Sequence, residues 1–181
     1  MSRTRARFLT ILGAVGLLTL GALAARGAVP GGVSSDSRAV ANCGPTRAPG
    51  AVVHVTLSDR GAAMMGAGGS AMVALDAHPD VVAAGWVTFE ALNVGAVSHE
   101  LLILPAPSRG VGTRVVRRDG KIDEGDSLGE ASTSCGAGPG EGIAPGTTSW
   151  LTLHLAPGNY ELLCDVPWHY ANGMYTSFRV A

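Results

Sequence analysis

Tyr160-Glu-Leu-Leu-Cys164-Asp-Val-Pro-Trp-His169-Tyr-Ala-Asn-Gly-Met174 is the stretch that decides the reading of this chain. From Asn159 to Cys164 the residues alternate, with Tyr160, Leu162 and Cys164 on one side, as in a strand. The strand ends on a cysteine. A histidine follows five residues later and a methionine five beyond that, and Met174 to Val180 reads as the next strand. A loop pinned between two strands in this way folds back on itself. Thiolate, imidazole and thioether then face a common point.

Outward from this loop, the chain is a series of short strand patterns punctuated by Gly and Pro. Val52 to Leu57 is rich in β-branched residues. Ala71 to Leu75 is a short strand pattern. Trp86 to Leu92 alternates, with Val87, Phe89 and Ala91 facing one way and Thr88 and Glu90 the other. Asn93-Val94-Gly95 is a turn, and His99 to Leu104 runs apolar as far as Pro105. Ser108 to Pro145 has weak periodicity and many glycines. It reads as a long excursion with room for one short element, and its acidic Asp123-Glu124-Gly125-Asp126 reads as solvated loop. Pro145-Gly146-Thr147-Thr148 is a turn. Trp150 to Leu155 alternates again, with Leu151, Leu153 and Leu155 on one face and His154 on the solvent side. Short strands at this spacing predict an all-β sandwich or barrel.

Soft sulfur combined with imidazole suits copper. Two His and one Cys in a plane with a weak axial Met form the blue-copper donor set. The second His comes from outside the loop, and His99, at the head of an apolar strand just after a glycine turn, is the candidate. These features resemble the cupredoxin family of blue copper proteins. Asn93-Val94-Gly95 followed by Ser98-His99 is similar to the loop that carries that family's first His ligand. Pro157-Gly158-Asn159-Tyr160-Glu161 leading into Cys164, His169 and Met174 is similar to its second ligand loop. The Cys-x4-His-x4-Met spacing is most like that of sulfocyanins and rusticyanins. The resemblance covers about residues 51–181, strongly at the two ligand loops and weakly between them.

The resemblance implies a Greek-key β-sandwich and one copper ion held by His99, Cys164, His169 and axial Met174. It also implies single-electron transfer between redox partner proteins, without enzymatic activity. In the family the His of the second loop reaches the surface through an apolar patch, which Pro167, Trp168 and Tyr170 would supply here as the docking site. The alternative, in which Trp168 and Tyr170 pack inward and support the loop, stays open. One departure stands out: the residue after the first His is Glu100, where many cupredoxins have Asn or Ser tying the two ligand loops together.

Residues 1–28 are a separate matter. Arg3, Arg5 and Arg7 precede an apolar run from Phe8 to Ala25, and Ala22-Leu23-Ala24 resembles a cleavage site. This is the pattern of an export signal, preferred over an uncleaved membrane anchor formed by residues 8–25. Residues 29–50 read as a flexible linker rich in Gly, Ser, Pro and Ala, and residues 51–181 as the folded domain. The domain is expected outside the cytoplasm. Taking Arg3, Arg5, Arg7 and Arg26 from the 13 basic residues leaves 9 against 14 acidic, a net of −5. No basic stripe for nucleic acid is present. Of three cysteines, Cys43 and Cys135 are expected to pair in an oxidising compartment, leaving Cys164 for chemistry.

Three other functions use some of the same residues. Copper delivery would use the same ligands, but delivery favours an exposed site and Met- or His-rich tails, and the tails lack these. A copper oxidase or nitrite reductase needs further His clusters, and the chain has five His in all. A Cys164–His169 hydrolase leaves Met174 unexplained. His54 and His78 read as structural, and Met64, Met65 and Met72 as filling in the core.

Overall fold

The computed structural model describes residues 47–59 and 73–181. The expected export segment, most of the linker, Cys43, Met64, Met65 and Met72 lie outside the described residues. Among the described residues ten strands follow one another: β1 (Ala51–Asp59), β2 (Val73–His78), β3 (Val81–Val82), β4 (Gly85–Asn93), β5 (Leu101–Pro105), β6 (Gly129–Thr133), β7 (Gly138–Gly142), β8 (Thr148–Leu155), β9 (Gly158–Leu163) and β10 (Tyr175–Val180). Among the described residues, the helical element is a single 3-10 turn, Tyr170–Asn172. No described helix is long and apolar enough to cross a membrane.

The strands form two sheets, one ordered β2-β1-β4-β8 and the other β3-β10-β9-β5-β6-β7. Both are mixed: β1 pairs parallel with β4, β3 with β10 and β6 with β7, and the remaining pairs are antiparallel. This is the all-β sandwich predicted from the strand spacing. Its interior is built by the alternation that the sequence displays. Val53, Val55 and Leu57 of β1, Val87, Phe89 and Ala91 of β4, and Leu151 and Leu155 of β8 point inward. They meet Leu101 and Ile103 of β5, Tyr160 and Leu162 of β9 and Phe178 and Val180 of β10. Phe89 and Phe178 meet edge to face across the two sheets, ring centroids 5.2 Å apart, a contact worth about 0.5–1.5 kcal/mol beyond the area it buries. Cys164 and Met174 belong to this same core cluster.

Leu101 to Leu104 is apolar without alternation because β5 is covered on both faces. Leu102, Leu104 and Leu163 pack on the outer side of their sheet against Ile122 and Tyr170. Ile122 comes from the segment between β5 and β6, which therefore folds back over the sheet and forms a second, smaller core. That segment was expected to be a long excursion, and in its acidic stretch Asp123, Gly125 and Asp126 are indeed exposed. The anchor that holds it down is polar. Fully buried Glu161 accepts from Arg114 Nε at 2.6 Å, from the Gly112 N–H at 2.6 Å and from the Tyr170 hydroxyl at 3.0 Å.

Thr88, on the face of β4 opposite Val87 and Phe89, is nonetheless fully buried, because the Pro49 carbonyl and the Thr152 hydroxyl cover it at 3.0 and 2.9 Å. One local expectation is corrected. The glycine-rich Ser108–Pro145 stretch holds two strands, β6 and β7, where room for one short element was expected.

Candidate metal centre

The segment between β9 and β10 carries three of the predicted ligands. Its two ends are tied together: the Cys164 N–H donates to the Met174 carbonyl at 3.1 Å, and the Met174 N–H donates to the His169 carbonyl at 3.1 Å. Between them the chain makes a tight turn. The His169 N–H donates to Val166, and the Gly173 N–H closes the 3-10 turn on Tyr170. Gly173 sits at φ 91°, a left-handed conformation that glycine adopts without steric cost. Trp168 takes φ 72° without that freedom, and the turn holds it there. Its N–H donates to the Gly120 carbonyl at 2.9 Å, and its own carbonyl accepts from Asn172 Nδ2 at 2.8 Å.

His99 arrives from the other loop. Its backbone is bridged to Ile143 in both directions, His99 N–H to Ile143 carbonyl and Ile143 N–H to His99 carbonyl. Asn93 shapes the approach. Its Nδ2 donates to the carbonyls of Val97 and Ile143, and its Oδ1 accepts from the Gly95 N–H.

Three donor atoms converge from these two loops. His99 Nδ1 lies 3.2 Å from His169 Nδ1. Cys164 Sγ lies 3.3 Å from His169 Nδ1 and 4.0 Å from His99 Nδ1. A first-row ion with bonds of about 2.0 Å to nitrogen and about 2.3 Å to sulfur, in a trigonal plane, spaces its ligand atoms at about 3.5 and 3.7 Å. The two sulfur–nitrogen separations bracket the second value, and the nitrogen–nitrogen separation falls about 0.3 Å below the first. Among the described residues this is the one group of three or more His, Cys, Asp or Glu side chains whose donor atoms lie together in this way. Met174 is fully buried and packs in the core cluster that contains Cys164.

The surroundings of the two imidazoles favour metal over proton. The His99 Nε2–H donates to Asp59 Oδ2 at 3.1 Å, which leaves the Nδ1 lone pair facing the other donors. Burial lowers the pKa of both His99 and His169 below the usual imidazole value, with the Asp59 carboxylate opposing the shift at His99 and the neighbouring His99 reinforcing it at His169. Burial pushes the Cys164 thiol up to about 12. The Glu100 N–H points at Cys164 Sγ at 3.2 Å, so Glu100 does link the two ligand loops, through its backbone. Its side chain is held at a pKa of about 6, chiefly by burial.

Exposure differs across the donor set. His99, Cys164 and Met174 are fully buried, while His169 is only partly so. Pro167 is exposed and Trp168 is 54% exposed beside it. Tyr170 turns inward, because Glu161 accepts its hydroxyl and the Arg114 N–H donates to it. The two aromatic residues thus divide between the surface and the interior.

The remaining histidines lie elsewhere. His154 is exposed and edge-on to Trp86. His54 faces outward from β1, opposite His78 on β2 and Glu90 on β4, with Nδ1 3.4 Å from the Glu90 carboxylate. Sequence reasoning did not single out Asp59. An Asp at the end of a strand pattern, 40 residues from the histidine it meets, carries no local signal of that contact.

No protein-family model matches the chain, and no curated protein matches it in sequence. Solved structures are similar to it at low identity. Na-dithionite-reduced auracyanin from the photosynthetic bacterium Roseiflexus castenholzii is 20% identical, with 73% of this chain and 99% of that chain covered and a TM-score of 0.46. The copper protein rusticyanin is 18% identical over 73% of this chain and 79% of its own, with a TM-score of 0.48. Rusticyanin from Thiobacillus ferrooxidans is 19% identical over the same shares, with a TM-score of 0.45.

Proposed function

We propose that this chain is an extracytoplasmic type 1 copper protein that carries single electrons, with copper held by His99, Cys164, His169 and axial Met174. The observation that carries this reading is the convergence of two imidazole nitrogens and one thiol within 4.0 Å of one another, in a setting built by two tied loops and a packed β core. When bound, copper supplies a one-electron couple in a donor set that suits both oxidation states.

The protein's own residues do the rest. The backbone ties between Cys164, His169 and Met174 fix the loop, so little rearrangement accompanies a change of charge at the centre. The Glu100 N–H withdraws charge from the sulfur, and second-shell groups of this kind tune potential. Burial of Cys164 and His99 excludes water from the centre. It also argues against the hydrolase reading, since a fully buried thiol held at about 12 is a poor nucleophile. The same burial favours a retained ion over a delivered one.

His169 is the member of the donor set nearest solvent, and it forms the electron port in this reading. A redox partner docks on the exposed Pro167 and Trp168 beside it, and Tyr170 supports that surface from within. The extracytoplasmic part of this reading rests on the export segment and the Cys43–Cys135 pairing expected from the sequence.

Voltammetry of the copper-loaded protein tests the electron-carrying role. A reversible one-electron wave, with copper retained on reduction in the presence of a Cu(I) chelator, is the expected result. Loss of copper to the chelator in each reduced cycle contradicts it and favours delivery.

A further inference from the structure

Asp59 is the last residue of β1, and its carboxylate sits where the first ligand loop turns. One oxygen, Oδ2, receives three donors: His99 Nε2 at 3.1 Å, the Ala96 N–H at 2.6 Å and the Val97 N–H at 3.1 Å. The side chain is 9% exposed and that of His99 is 0% exposed. The loop closes on the carboxylate so tightly that a Cβ at Gly95 would lie 2.0 Å from Oδ2. The chain 94–98 is therefore wrapped around this carboxylate, and His99 leaves the wrap with its ring already oriented.

A carboxylate accepts and does not donate when ionised. Its partner on His99 must carry the proton, so Nε2 is protonated and Nδ1 is the free lone pair. Nδ1 is the atom that faces His169 and Cys164. A neutral acceptor at this place would orient the ring equally well. The carboxylate adds a negative charge one imidazole ring away from the donor atoms. Negative charge there favours the more positive metal state.

We infer that Asp59 is a positioning residue of the centre with two separable roles: its geometry fixes the tautomer and aim of His99, and its charge holds the reduction potential down. The second role rests on the copper reading; the first does not.

Two variants separate the roles. Asp59→Asn keeps an oxygen that accepts from His99 Nε2 but removes the charge. Its thiolate-to-copper absorption is expected to remain, while its midpoint potential rises by at least 59 mV, a tenfold shift in the one-electron equilibrium. A potential equal to that of the wild type overturns the charge role. Asp59→Ala removes the acceptor altogether. In metal-free protein, 15N NMR of His99 is expected to show the Nε2-protonated tautomer in the wild type and its loss in Asp59→Ala. An unchanged tautomer in Asp59→Ala overturns the positioning role. A wild type that shows the tautomer but takes up no copper overturns the copper reading and the charge role with it, and leaves positioning standing.

Discussion

Cys164 shows most clearly what single residues contribute. Its thiol, pushed up to about 12 by burial, is protonated at neutral pH, so a metal that binds it must displace a proton. Copper uptake is therefore expected to release a proton and to tighten as pH rises through neutrality. Calorimetry in buffers of different ionisation enthalpy checks this, and a pH-independent affinity contradicts it. Asp165, next to it, behaves in the opposite sense to most carboxylates. Burial, and then the neighbouring Glu124 carboxyl, raise its pKa to about 7, and its Oδ2 is buried without a hydrogen-bond partner. A raised pKa means that the folded state holds the proton more tightly. The stability this contributes is present below the ordinary Asp range and is lost as pH rises through about 7. Asp165→Asn keeps an acceptor for the Ile122 N–H, which Oδ1 now takes at 2.7 Å, and cannot ionise. The variant is expected to match the wild type near pH 4 and to exceed it in denaturant midpoint at pH 8. A variant less stable at pH 8 contradicts the account. Neither property was legible in the sequence, in which Asp165 follows Cys164 with no local sign of burial. The Ile122 N–H that reaches its carboxyl comes from 43 residues away.

Among the elements, the segment between β5 and β6 was the hardest to read and the ligand loops the easiest. The Cys-x4-His-x4-Met loop is local: strand, turn and strand follow one another within a few residues, so the sequence carries the whole pattern. The Asn93-Val94-Gly95 turn is equally local, and its Asn93 Oδ1 to Gly95 N–H bond is the contact such a turn makes. The segment after β5 lacks periodicity because it is anchored by isolated residues, Ile122 in the apolar layer and Arg114 in the polar one. Arg114 Nε meets fully buried Glu161 at 2.6 Å, and Arg114 Nη2 donates to the Pro105 carbonyl at 2.5 Å. Removing one partner of a buried ion pair typically costs about 3–5 kcal/mol, because the other charge stays buried and alone. Arg114→Ala is expected to lose stability on that order in urea unfolding and to loosen Tyr170, whose hydroxyl shares the Glu161 carboxylate. A loss under about 0.5 kcal/mol, the range of ordinary surface substitutions, contradicts the assignment of this pair as the anchor.

At the scale of the whole molecule, the two sheets and their shared core make a scaffold that places Cys164 and Met174 inside the main hydrophobic cluster. The strand patterns announce that sandwich. They do not announce which strands pair in parallel, nor that β1 delivers Asp59 to the centre, since both follow from packing between distant segments. An ion that binds the folded chain and not the unfolded one adds stability by mass action, about 2.7 kcal/mol at a free concentration one hundred times Kd. Copper is therefore expected to raise the thermal midpoint of the wild type and not that of Cys164→Ser. The central claim is a bond between copper and the Cys164 thiolate. The visible absorption spectrum of the Cu(II)-loaded protein, recorded beside Cys164→Ser, tests it most directly. The account predicts an intense thiolate-to-copper charge-transfer band in the red that disappears in the variant. Copper bound without that band, or a band that survives in Cys164→Ser, would contradict it.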